Sequence, residues 1–150
     1  MSAVDATLKA VQAVQAALAA EHAAVYGYGV VGGRVGDDRE ADAEAGYAAH
    51  RARRDALTRT VRDLKGEPVA AAPAYELPFP VPDEAAAVRL AAALEDGVAG
   101  AYSDLVRATE GPLRVEAAVA LREAAVRAVR WRGSGVAFPG LAERAQGDNR

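Results

Sequence analysis

Residues Ala19–Gly33 read AAEHAAVYGYGVVGG, and the setting of Glu21 within them decides the fold. Glu21 shares a helical face with Val14, Leu18, Val25 and Tyr28, because residues three, four and seven apart stack on one side of an α-helix. That face is otherwise apolar. A carboxylate buried without a partner is costly. Either Glu21 meets a metal, an arginine or another carboxyl at the centre of the fold, or the helix is rotated and the carboxylate reaches water.

Working outward, Leu8, Val11, Val14, Leu18 and Val25 extend the helical spacing and predict a first helix over about residues 5–33, with Ser2 or Asp5 at its start. Gly32, Gly33, Gly36, Asp37 and Asp38 form a turn. Asp37, followed three residues later by Glu40, marks the start of a second helix over about 39–65, stopped by Gly66. Its stripe is Tyr47, His50, Arg54, Leu57, Val61 and Leu64, apolar at one end and polar in the middle. Residues 67–82 contain Pro68, Pro73, Pro78, Pro80 and Pro82, which exclude a regular helix. At about 3.1 Å per residue this extended connection spans about 50 Å, enough to cross the length of a bundle. Leu77, Phe79 and Val81 alternate with proline there and are expected to lie on the helices.

Asp83 is placed to cap a third helix over about 83–109, which carries Val88, Ala91, Glu95, Val98, Tyr102 and Val106 on one face. Glu95 thus repeats the situation of Glu21. After a break at Thr109–Gly111, Pro112 is placed as the first residue of a fourth helix over about 112–133. There Glu116, Val119, Glu123, Val126 and Arg130 share a face, with Ala120 and Arg127 alongside. The tail, 134–150, offers Val136, Phe138 and Leu141 for docking on the helices. No internal repeat is evident.

Composition bounds the rest. A chain of 150 residues that is 51% hydrophobic but only 5% aromatic suits closely approaching, alanine-rich helices, and we expect one all-α domain. The net charge of -3 gives no general attraction for nucleic acid or anionic membrane. Absence of cysteine removes disulfide and thiolate chemistry. With no basic segment leading an apolar stretch at the N-terminus, and no long apolar run, the expectation is a soluble, cytoplasmic protein.

Glu21 lies about as far before the end of the first helix as His50 lies into the second, so antiparallel packing brings them to one level. Glu95 and Glu123 fall at mid-height of the other two helices. The fold expected is an antiparallel four-helix bundle with one long proline-rich crossover between helices 2 and 3. The segments AEHAAVYGYGVVG, YAAHRARRD, AAPAYELPFPV and LREAAVRAVRWRGSGVAFPG, covering nearly the whole chain, resemble an uncharacterised actinobacterial family of ferritin-like domains. The resemblance implies a ferritin-like bundle, and with the small-residue faces it points to a homodimer.

The di-metal pattern of that superfamily wants a Glu on each of two helices and Glu-x-x-His on each of the others. Glu21 and Glu95 match the lone carboxylates. His50 has Tyr47 three residues earlier where a glutamate is wanted, with Glu44 six back; Glu123 is followed three residues later by Val126. Under this alternative an iron or manganese centre would use Glu21, His50, Glu95 and Glu123, with Glu44 as an additional ligand. Against it, Arg54, Arg127 and Arg130 can reach the same interior, where a guanidinium neutralises carboxylates as a cation would; Tyr47 and Tyr102 are further interior polar partners. The preferred expectation is a non-enzymatic or ligand-binding bundle with a metal-free polar core and no cofactor. The alternative is a metal-dependent oxidoreductase or metal-binding protein.

Other motifs read as structure. Gly27-Tyr-Gly29-Val-Val-Gly32 spells a dinucleotide fingerprint but closes a helix instead of opening one after a strand, so it implies close helix approach or a kink. His22 is expected to be a satisfied, partly buried histidine. Arg51, Arg53, Arg54, Arg59, Arg62 and Lys65, interleaved with Asp55 and Asp63, read as a solvated face.

Overall fold

The computed structural model describes residues 2–133 together with Gly135, Phe138, Pro139 and Leu141. Its helices are α1 (Ala3–Gly32), α2 (Asp37–Asp63), α3 (Glu84–Ala108) and α4 (Gly111–Arg132), and there is no strand among the described residues. The protein is an all-α four-helix bundle.

Local chemistry sets each boundary within a residue or two of expectation. Ser2 is the cap of α1: its hydroxyl accepts from the Asp5 backbone N–H at 3.1 Å, and the Asp5 carboxylate accepts from the Ser2 backbone at 3.2 Å. Gly36, not an acidic residue, holds the capping position of α2; Asp37, Asp38 and Glu40 instead occupy the first turn, where they complement the helix dipole. The Gly36 N–H is satisfied from α3, donating to Glu84 Oε1 at 2.9 Å. Lys65, rather than Gly66, takes the left-handed conformation after α2, with φ of 65°. Asp83 caps α3 through the Ala86 N–H at 2.9 Å. Pro112 is the second residue of α4, behind Gly111, and Gly133 closes that helix at φ of 84°.

α1 packs against both α2 and α3, and α3 packs against α4. α2 and α4 do not pack closely. The connection from α2 to α3 runs back along α1: Gln15 donates to the Glu67 carbonyl at 2.5 Å and accepts from the Val69 N–H, His22 Nε2 meets the Val69 carbonyl at 3.0 Å, and Tyr75 lies against Tyr26 with ring centroids 5.7 Å apart. Its passage from one end of α1 to the other makes α1/α2 and α3/α4 two antiparallel hairpins. Leu77, Phe79 and Val81 face inward, as their alternation with proline predicts, against the core around Tyr28, Val31 and Leu90.

The interior has two apolar clusters. One is built on Val14, Leu18, Leu57, Val61, Val98 and Leu105, the other on Tyr28, Val31, Ala43, Leu90 and Trp131. Two glycines allow the close approaches. A Cβ on Gly27 would lie 2.5 Å from Leu94 Cδ1, and one on Gly46 2.3 Å from Tyr28 Cε1. In the glycine-rich end of α1 only Gly27 is a packing position; a Cβ on Gly29 or Gly32 would meet nothing within 4 Å. Phe138 and Leu141, expected to dock, are 72% and 41% exposed, and Val136 lies outside the described residues. Among the described residues no helix is long and apolar enough to cross a membrane.

Candidate functional site

Glu21, His50 and Glu95 are each fully buried, and they touch. His50 Nδ1 lies 2.5 Å from Glu21 Oε2, and His50 Nε2 lies 2.7 Å from Glu95 Oε1. A carboxylate can only accept. With both glutamates ionised, both ring nitrogens carry hydrogen, and His50 is an imidazolium clamped between two carboxylates. Burial opposes that charge, but the hydrogen bonds and charges of Glu21 and Glu95 outweigh it and push the His50 pKa up to about 9. Glu95 shows the reciprocal effect: burial works against its ionisation, yet His50 and Arg127 hold its pKa below the ordinary value.

Two tyrosines and an arginine complete the layer. Tyr102 on α3 donates to Glu21 Oε1 on α1 at 2.7 Å, while Tyr28 on α1 donates to Glu95 Oε1 on α3 at 2.7 Å. The exchange has a sequence basis. EHAAVYGY, Glu21–Tyr28, and EDGVAGAY, Glu95–Tyr102, share one Glu-x6-Tyr spacing, which puts the pair two helical turns apart on one face. Because α1 and α3 run antiparallel, each glutamate meets the other helix's tyrosine. Only the Glu and Tyr positions and their spacing are shared in this way, too little to register as an internal repeat of the chain. Burial, then the neighbouring carboxylates, raise both phenols far above their ordinary pKa, so both remain donors. Arg127 Nε donates to Glu95 Oε1 at 2.9 Å, and Trp131 Nε1 donates to the Tyr28 hydroxyl at 2.9 Å. Three donors thus converge on Glu95 Oε1, while Glu95 Oε2 is buried with no partner.

Of the residues expected in the interior, Glu21, His50, Glu95, Tyr102 and Arg127 are brought together. The others are not. Glu123 faces the α2/α4 seam with its side chain 40% exposed and pairs with Arg53 at 2.7 Å. Glu44 is exposed on α2. Arg54 pairs with its neighbour Asp55 at 3.0 Å, Tyr47 is 37% exposed and lies against Arg51, and Arg130 is exposed near the end of α4. Tyr28 is buried with its hydroxyl on a polar partner, while Trp131 and Arg53 are the participants not expected as polar partners. Burial, then the Glu123 hydrogen bond, act in opposite senses on Arg53, and its pKa is raised on balance.

Charges in the buried layer cancel: two carboxylates against one imidazolium and one guanidinium. Pairing of this kind keeps buried ions tolerable, and removing one partner leaves the others exposed to the full cost of desolvation. A di-metal centre of the ferritin type calls for about four carboxylates and two imidazoles. This layer supplies two carboxylates and one imidazole whose nitrogens are both occupied, so the residues do not fit such a centre. No group of three or more His, Cys, Asp or Glu side chains among the described residues is arranged to hold a metal ion.

Residues 13–143 match the family model described as a domain of unknown function, DUF4439. The chain belongs to the DUF4439 family. Among solved structures, this DUF4439 chain is similar to that of a conserved hypothetical protein, rv2844, from Mycobacterium tuberculosis, with 34% identity and a TM-score of 0.82 over 88% of this chain and 98% of that one. No curated protein matches this DUF4439 sequence.

Proposed function

We propose that the chain is a ferritin-like bundle, a non-enzymatic or ligand-binding protein, with a polar core neutralised by His50 and Arg127 in place of metal. The observation that carries this is the engagement of both His50 nitrogens by Glu21 and Glu95 at 2.5 and 2.7 Å. An imidazolium has no lone pair to offer an ion. The Arg127 guanidinium already provides the cation that Glu95 would otherwise seek from a metal.

The test is elemental analysis by mass spectrometry of untagged protein, purified without chelator from cells supplied with iron, manganese and zinc. The expected result is metal far below one ion per chain, unchanged in Glu21→Gln and Glu95→Gln. Stoichiometric metal that disappears in those variants would overturn the reading and restore the oxidoreductase alternative.

A further inference from the structure

The seam between α2 and α4 is the side of the bundle where neighbouring helices do not pack closely. It is tied at two levels. Arg53 pairs with Glu123 at 2.7 Å in the middle, and Arg39 Nη2 donates to the Arg130 carbonyl at 3.3 Å nearer the end. Between the ties lies a cavity of about 150 Å³ lined by Asp42, Ala45, Gly46, Arg127, Arg130 and Trp131.

Charge in this cavity does not cancel. Arg127 is neutralised by Glu95 through Nε, and Asp42 sits 3.6 Å from Arg39, but Arg130 has no ion pair among the described residues. Arg39, stacked over the Trp131 ring at 4.4 Å, has its Nε buried and 3.6 Å from Asp42 Oδ2, within ion-pair range but beyond a hydrogen bond. Among the described residues Arg127 hydrogen-bonds through Nε alone, which leaves its two terminal nitrogens as donors beside Arg130. Guanidinium donors in that arrangement suit a planar or tetrahedral oxyanion. Size narrows the ligand further: a cavity near 150 Å³ holds about the volume of a benzene molecule.

The geometry points to a binding site in the α2/α4 seam for a small oxyanion, a short-chain carboxylate or a phosphate, held by Arg127 and Arg130 beside Trp131. This rests on the reading of the chain as a binding bundle and gives that reading its ligand class. Asp42, Ala45 and Gly46 form the α2 wall of the cavity, with Asp42 paired to Arg39, and the α4 wall carries Arg127 and Arg130. Through Arg127 the site is joined to Glu95 and the buried layer, so an anion at the seam and the carboxylate in the core share one guanidinium.

Trp131 is the chain's one tryptophan, so its fluorescence reports directly on the cavity. Full-length protein is titrated with inorganic phosphate, acetate and malonate at constant ionic strength, with chloride as the control anion, and stoichiometry is taken from calorimetry. Saturable binding of one anion per chain is expected for phosphate or for the carboxylates, and which arm saturates names the source. Arg130→Gln, at an exposed position, should weaken binding by about tenfold or more, the scale of a charge-assisted contact. Arg122→Gln, exposed elsewhere on α4, should bind as the wild type does. No saturable response to any of the three anions, a response equal to that of chloride, or unchanged binding in Arg130→Gln would overturn the inference. Metal content is measured on the same samples: a metal-loaded chain that binds the anion defeats the metal-free reading alone, and a metal-free chain that binds none of the probes defeats this inference alone.

Discussion

Replacing His50 by glutamine tests the buried layer through its pH dependence. In the folded chain His50 holds its proton up to a pH of about 9, whereas an unfolded-chain imidazole releases it near pH 6.5. Between those values the folded state binds more protons than the unfolded state, so stability must fall as pH rises. The contribution is complete below about pH 6.5 and gone above about pH 9. A difference of about 2.5 pK units corresponds to about 3 kcal/mol. With a urea dependence of about 2 kcal/mol per molar, the unfolding midpoint should drop by about 1.5 M across this range. Urea melts followed by circular dichroism from pH 6 to 9.5 would read it. His50→Gln should be less stable at neutral pH, because Glu21 and Glu95 lose their shared cation, and its stability should be nearly flat over the same window. An equal slope in wild type and variant, or a flat wild-type profile, would refute the imidazolium assignment.

Two further substitutions separate packing from charge. Gly46→Ala places a Cβ 2.3 Å from Tyr28 Cε1 and should cost about 2 kcal/mol by pushing that ring off Glu95 and Trp131. Gly97→Ala in α3, with nothing within 4 Å, should instead stabilise by about 0.5–1 kcal/mol through helix propensity; equal effects in urea melts would contradict the packing account. Glu123→Gln, at a partly exposed ion pair, should change stability by less than about 1 kcal/mol. Glu95→Gln, in the buried layer, should cost about 3–5 kcal/mol, and matching losses at the two sites would show that burial is not what distinguishes them.

The ease with which Glu21, His50 and Glu95 could be found from sequence has a physical origin. Glu21 and Glu95 each interrupt a largely apolar stripe on their helices, His50 lies in line with Leu57 and Val61, and antiparallel packing puts mid-helix positions at one level. α4 misleads for the opposite reason. Its buried stripe is Ala117, Ala120, Ala124, Ala128 and Trp131, whereas its valines at 115, 126 and 129 are exposed. Alanine lets α4 approach closely but carries little hydrophobic signal, so the valine spacing directs Glu123 inward when it belongs at the seam. Arg127 stands three residues from Ala124 and four from Trp131, next to the true buried stripe, which is why it reaches Glu95. On α2 the error is one residue: the buried line passes through Ala43, Gly46, His50, Leu57 and Val61, leaving Tyr47 to one side. Gly46 on that line is a contact surface that no hydrophobicity pattern reveals, because its role is to have no side chain.

The same charge arithmetic argues for the metal-free reading. Two glutamates need two positive charges to be buried together, and His50 with Arg127 supplies them. A divalent ion placed between Glu21 and Glu95 would first require His50 to give up its proton, which at pH 7 costs about 3 kcal/mol for a pKa of about 9. Even then the layer would carry an excess charge of plus one, because Arg127 cannot be deprotonated. Such an ion would have to overcome the lost imidazolium bonds, the repulsion of Arg127 and the shortage of further carboxylates at the same time. Glu123, the α4 carboxylate expected as a ligand, is instead held at the α2/α4 seam by Arg53 at 2.7 Å.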